Sequence, residues 1–203
     1  FAELVCSNSL KADRPDSAPG LLKAEMDLLG SHLLPVARRV RVAAGGALAV
    51  DRDAFSAGVT ALAESQPNIT VVRKEAVCLD ESLPTLVATG PLTDGPLADA
   101  IAEVTGGDEL SFYDAAAPIV TAESLDMSRI FAASRYGRGD ADYLNCPFNK
   151  EEYEAFHAAL VSAQRAELHA FDGDLTVYEG CMPIEVMASR GADTMRFGPL
   201  RPV

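Results

Sequence analysis

Helical and extended periodicities alternate along the first ninety residues, each bounded by glycine or proline. Leu22, Met26, Leu29 and Leu33 recur at steps of four, three and four, which places them on one helix face. Pro35 should kink or end that helix. Gly45 and Gly46 mark a tight turn, Ala47–Val50 a short extended piece, and Asp51 or Asp53 the cap of a second helix. Phe55, Val59 and Leu62 give this helix its buried face. Pro67-Asn68 ends it, and the β-branched runs Ile69–Val72 and Thr85–Thr89 read as strands. The first twenty residues read as loop, with turn chemistry over Arg14–Gly20. This order of elements predicts an α/β class, part of a sheet covered by helices. No Gly-x-Gly-x-x-Gly follows a strand, so the phosphate-cradling turn of a dinucleotide fold is absent from these residues.

After Pro91 the texture changes. A helix is expected over 94–105, stopped by Gly106-Gly107. Short strands are expected at Leu110–Tyr113, Pro118–Val120, Ile130–Tyr136, Asp142–Leu144, Leu175–Tyr178 and Thr194–Phe197. Asn149, with Glu152 three residues on, opens a capped helix whose core face is Tyr153, Phe156 and Leu160. Residues 91–203 therefore read as an α+β domain of short mixed strands, and the expected boundary falls at residue 90.

Charge follows the same division. The 203 residues carry a formal net charge of −13. Residues 1–90 hold 9 basic and 11 acidic side chains, a net of −2, whereas 91–203 hold 8 and 19, a net of −11. Such acidity argues against a simple nucleic-acid-binding module, which carries a basic patch. Arg38, Arg39 and Arg41 form the one dense basic cluster; they read as a solvated helix end or as a phosphate contact. No apolar run approaches the roughly 20 residues of a membrane helix. Phe1-Ala2-Glu3-Leu4 is no signal peptide, and the missing initiator Met hints at a longer parent chain. Four cysteines with gaps of 72, 68 and 35 residues make neither a zinc pattern nor a disulfide scaffold, so free thiols in a cytoplasmic protein are expected.

Cys181 is the first candidate for chemistry. Pro183 suits the first position of a short helix ending before Gly191, with Met182 as its cap. A thiol just outside a helix start faces unpaired N–H groups, which lower its pKa below the free value of about 8.5. A nucleophile and a buried structural cysteine both remain open on this ground. Cys6 lies in a polar loop, whereas Cys78, between Val77 and Leu79, reads as buried filler and Cys146 as structural. His32, His157 and His169 show no metal-ligand spacing, so no metal is expected, and no Gly-x-Ser-x-Gly elbow supports a hydrolase.

Several segments together resemble one family, the folate/FAD-dependent tRNA (uracil-5-)-methyltransferases. The blocks are Phe1–Lys11, Gly45–Arg52, Ala88–Thr93, Phe112–Val120, Tyr143–Pro147, Glu179–Met187 and Arg196–Pro199, in order along the whole chain. The departures are small: Phe148 replaces an expected Met, and Leu200-Arg201 an expected Met-Lys. The resemblance implies an internal stretch of such an enzyme. Residues 1–90 would be the middle of a Rossmann-like FAD-binding domain and 91–203 an inserted α+β domain on the substrate side.

The resemblance also implies an activity: methylation of C5 of uridine 54 in the tRNA T loop. In that chemistry 5,10-methylenetetrahydrofolate supplies the carbon, reduced FAD carries and reduces it, and NADH or NADPH is the reductant. Uracil C5 is a poor nucleophile until a thiolate adds at C6. A base must then remove the C5 proton before the thiol can leave. By this likeness Cys181 is the nucleophile and Cys6 the second thiol, in proton removal or flavin contact. Ser7, Asn8 and Ser9 read as flavin or substrate contacts or as a hydrogen-bonded turn. Gly45, Gly46 and Arg52 face the cofactor or form a plain turn and cap. Thr89 and Gly90 match the passage where such flavoproteins leave the nucleotide fold. Tyr113 and Arg135 stack on or pair with RNA, or serve packing and a surface ion pair. Two other classes compete: a non-catalytic RNA-binding module of the same ancestry, and a flavoprotein oxidoreductase on another substrate. The isolated stretch is expected to bind FAD weakly and to be inactive alone.

Overall fold

A computed structural model of the chain describes residues 1–5, 7–80, 82–107, 120–134, 137, 139–164, 183–197 and 200. Helices pack on small antiparallel sheets, in keeping with an α/β class. The chain divides into two compact units, Phe1–Val71 with Ala117–Lys150, and Val72–Ala116 with Glu151–Val203.

The first unit is built on a three-stranded sheet in the order β1-β3-β2, where β1 is Ser9–Ala12, β2 Arg41–Val42 and β3 Ala47–Val50. β1 lies where the sequence reads as loop. Its polar side chains hide it, because its ladder to β3 is main-chain and is interrupted by an irregularity between Ser9 and Ala12. Lys11, within that irregularity, has a left-handed φ of 65°.

The helix expected over Leu22–Leu33 is two helices, α1 (Ala18–Leu28) and α2 (Leu33–Arg39). Gly30, at φ 75°, turns the chain between them. Pro35 falls in the first turn of α2, where its missing N–H removes no bond, so it sits inside that helix rather than at an end. The expected leucine face breaks up in consequence: Leu22 and Leu29 are exposed, and Met26 packs against the core. α1 is instead capped by Ser17, whose Oγ accepts from Gly20 N–H at 3.3 Å.

α3 (Arg52–Glu64) starts at Asp51, whose Oδ1 accepts from Ala54 N–H at 2.9 Å. Its Phe55 and Val59 meet Leu34, Val36 and Ala37 of α2 and Leu48 and Val50 of β3 in one apolar core. Leu62 packs at its margin. A second sheet pairs β4 (Phe131–Ala133) antiparallel with β5 (Tyr143–Asn145).

The runs at 69–72 and 85–89 form no strand. Val72 and Leu86 stand exposed, and a β-branched run makes a strand only with a partner beside it. With that apolar layer absent, Cys78 is an exposed free thiol rather than buried filler, and Cys146 of the first unit is exposed too. α4 (Gly95–Thr105) ends as expected at a left-handed Gly106. α5 (Lys150–Ser162) opens directly after Asn149. α6 spans Ile184–Ser189, and its cap is Pro183 rather than Met182. Pro183 has ψ 140°, outside the helical range, so the helix starts one residue later than expected. Thr194–Phe197 is a 3-10 turn, not a strand. An Asp193–Arg196 ion pair at 2.8 Å spans it, and Met195 is fully buried beneath it. The strands expected at 110–113 and 175–178 lie outside the described residues. No helix among the described residues is long and apolar enough to cross a membrane.

Candidate cofactor-side turn and its partners

Among the described residues of the first unit, a polar assembly surrounds residues 44–46. Gly45 has φ 56°, a left-handed conformation that suits glycine. The turn closes on itself through Ala47 N–H to Ala44 O at 3.1 Å. Asp13 N–H, just beyond β1, reaches Gly46 O at 3.0 Å. Arg41 donates to Ala47 O at 3.1 Å and lies 3.6 Å from the Asp13 carboxylate.

The other side of the turn is held by the β4–β5 hairpin, nearly a hundred residues on. Gly45 N–H donates to Asp142 Oδ2 at 2.7 Å, and Tyr143 Oη donates to Ala44 O at 3.0 Å. Gly139, at φ 83°, packs so closely that an added Cβ would stand 2.9 Å from Gly46 N. At Gly46 itself an added Cβ would meet nothing within 4 Å, so that backbone is open.

The Ser7–Ser9 triplet leads into β1. Ser9 N–H donates to Ser7 Oγ at 3.1 Å, and Lys11 N–H to Ser9 Oγ at 3.1 Å. Asn8 clasps Val50: its Nδ2 donates to Val50 O at 3.0 Å and its own carbonyl accepts from Val50 N–H at 2.9 Å. Ser7, Asn8 and Ser9 thus form a hydrogen-bonded turn, and Asn8 ties it to the strand that follows Gly45 and Gly46. Arg52 is exposed at the first residue of α3.

Between the end of β1 and the start of α1 lies the one buried charged residue among those described. Lys23 is 6% exposed, and its Nζ donates to Ala12 O at 2.8 Å and Pro19 O at 3.1 Å. Burial pushes its pKa down, while the Asp13 charge opposes the shift. Of the basic cluster, Arg38 forms a bidentate pair with Asp27, at 2.9 and 2.5 Å. That bond raises the arginine pKa and holds the Asp27 carboxyl below its usual range.

Thr89 and Gly90 belong to the second unit. Thr89 Oγ1 and Thr93 Oγ1 are 2.6 Å apart, Thr93 Oγ1 donates to Gly90 O at 2.8 Å, and Gly90 has a left-handed φ of 85°. On α5, Tyr153 Oη donates to Ala192 O at 2.5 Å and His157 Nε2 lies 3.0 Å from Ala188 O. A carbonyl only accepts, so His157 carries its proton on Nε2 in this bond. Burial raises the Tyr153 pKa. Cys6, Cys181, Tyr113 and Arg135 lie outside the described residues.

Sequence reasoning missed Lys23, Gly139 and Asp142. Lys23 offers no signal, because a lysine on an amphipathic helix reads as solvated. Gly139 and Asp142 sit in a Gly-Arg-Gly-Asp-Ala-Asp run that signals a turn but not its partner.

A family model described as Glucose inhibited division protein A matches residues 1–203. The chain is 61% identical over 203 residues to a protein of Moorella thermoacetica named methylenetetrahydrofolate–tRNA-(uracil-5-)-methyltransferase TrmFO, covering 100% of this chain and 46% of that protein. The like-named protein of Acetivibrio thermocellus is 56% identical with the same coverage, and that of Lactobacillus helveticus is 53% identical over 50% of its length. The chain therefore spans about half the length of the curated relatives it matches.

Proposed function

Because the chain belongs to the glucose inhibited division protein A family, we propose that it is part of a folate- and FAD-dependent enzyme that methylates C5 of uridine 54 in the tRNA T loop. The observation that supports this reading is the family match over residues 1–203, together with 53–61% identity to relatives named methylenetetrahydrofolate–tRNA-(uracil-5-)-methyltransferases. In this reading residues 1–90 belong to a Rossmann-like FAD-binding domain and 91–203 to an inserted α+β domain. The substrates are tRNA and 5,10-methylenetetrahydrofolate, the reductant is NADH or NADPH, and the setting is the cytoplasm.

The residues present fit a flavin on one structural ground. Gly46, within a turn held from both sides, carries no side chain, and although Gly139 closes on its N–H side, the direction an added Cβ would take is open to a flat ring. Gly45, Gly46, Ser7, Asn8, Ser9 and Arg52 are the residues of the first unit that would hold it. Thr89 and Gly90 carry the same assignment by family likeness alone. When bound, the flavin supplies carriage and reduction of the one-carbon unit.

The chain's own chemistry lies in its thiols. The Cys181 thiolate adds to C6 of the uracil, and the electron pair of the C5–C6 bond moves toward C5 and the O4 carbonyl. C5 is then nucleophilic enough to take the one-carbon unit. Cys6 removes the C5 proton, and re-formation of the C5–C6 bond expels the Cys181 sulfur. Tyr113 and Arg135 contact the RNA. The test is to supply the natural protein with tRNA, methylenetetrahydrofolate and a nicotinamide reductant. The expected outcome is 5-methyluridine at that position alone, made by protein with the visible absorbance of oxidised flavin. A flavin-free protein that still binds tRNA would favour the non-catalytic module, and a flavoprotein that leaves every uridine unmethylated would favour an oxidoreductase on another substrate.

A further inference from the structure

We propose that Asp142 is a positioning residue that sets the Ala44–Gly46 turn, and through it the open Gly46 face assigned above to the flavin. The proposal rests on that assignment and extends it to a segment of the chain far away in sequence.

Three successive residues of the turn each meet one residue of the hairpin. Ala44 offers a carbonyl, and Tyr143 meets it with a hydroxyl donor at 3.0 Å. Gly45 offers an N–H, and Asp142 meets it with a carboxylate oxygen at 2.7 Å. The Gly45–Gly46 peptide offers bare backbone, and Gly139 lies so close that a Cβ added on Gly139 would stand 2.9 Å from Gly46 N and 3.3 Å from Gly45 Cα. Donor faces acceptor, acceptor faces donor, and glycine faces glycine. Matching at three consecutive positions fixes both the register and the distance of the hairpin on the turn.

The Gly45 contact governs the other two. Gly45 lies outside the paired registers of β1, β2 and β3, and the partner of its N–H is the Asp142 carboxylate. An ionised carboxylate at this distance makes the stronger kind of hydrogen bond, which holds Gly45 in the conformation that leaves Gly46 open. Asp142 acts through the turn and is not itself assigned any contact with the flavin or the reacting atoms.

Conservative replacement separates this role from bulk stabilisation. Asn keeps an oxygen acceptor for Gly45 N–H, whereas Ala removes it. In the natural protein, Asp142→Ala should weaken flavin affinity about tenfold, the value of one charge-assisted hydrogen bond, at a nearly unchanged thermal midpoint. Asp142→Asn should recover most of that loss, and Tyr143→Phe should give a smaller one. Amide hydrogen exchange of the segment 43–47, measured without flavin, should speed up in Asp142→Ala and stay slow in Asp142→Asn. Equal flavin affinity in wild type and Asp142→Ala, or unchanged exchange of that segment, overturns the proposal while leaving the flavin assignment standing. If Asp142→Ala speeds exchange but the wild-type protein takes up no flavin, the assignment of the turn to the cofactor is what fails, and the positioning role falls with it.

Discussion

Lys23 shows how much one side chain settles in this structure. It is a buried residue of α1, and its ammonium ties the end of β1 to the first turn of that helix. Replacing it with Met keeps the stem but leaves the carbonyls of Ala12 and Pro19 without their donor. Lys23→Met should lower stability by about 2 kcal/mol in a denaturant titration, the usual cost of stranding buried hydrogen-bonding groups. A change within a few tenths of a kcal/mol would mean that water replaces the ammonium. Asp27 gives a pH-dependent counterpart. Its pKa is held down mainly by the hydrogen bond from Arg38. A depressed carboxylate contributes stability that is present above its unfolded pKa and is lost as pH falls through the lower folded value. Asp27→Asn should therefore flatten the acid limb of the stability curve while leaving its slope near neutrality alone. An acid limb as steep as that of the unaltered protein would count against the pair. Neither role was legible beforehand. The arginines could be counted in the sequence, but Asp27 stands eleven positions from Arg38, across a helix break that the leucine spacing concealed.

The elements divide by whether their signals are local. α3 and α4 were readable with their ends because Asp51 and Gly106 act within a few residues of themselves. The α1–α2 break was missed because a run of leucines at helical spacing outweighed Gly30, and Pro35 was read as an end when it lies in a first turn. β1 was missed and the runs at 69–72 and 85–89 were over-read for one reason: a strand is defined by its neighbour, which no local window contains. α5 carries a consequence of its own. Tyr153 and His157 stand four residues apart on its half-buried face, with rings stacked 6.4 Å apart, and both bond carbonyls at the end of α6 or just beyond it. Ala188 O also accepts from Gly191 N–H at 3.2 Å, so α5 adds a second donor at the end of α6. Tyr153→Phe should cost about 1 kcal/mol of stability. In exchange measurements the 184–197 segment should open before α3 does. Opening at the same rate in variant and parent would show that the bond carries no weight.

For the molecule as a whole, charge and chain length take on a different sense. The net of −13 argued against a nucleic-acid partner, yet −11 of it belongs to residues 91–203. Of the cluster that reads as a solvated helix end or a phosphate contact, Arg38 and Arg41 are paired with Asp27 and Asp13, and Arg39 is exposed. The chain spans about half the length of the curated relatives it matches. The family was legible from the order of seven motif blocks. The Asp142 clasp was not, because Gly45 and Asp142 come together only in the folded chain. The most direct test of the account is transfer of isotopically labelled carbon from methylenetetrahydrofolate to T-loop uridine, comparing the natural protein with its Cys181→Ala variant. The account predicts label in the uridine with the natural protein, and neither label nor a covalent protein–RNA adduct with the variant. Equal transfer by the two proteins would contradict it.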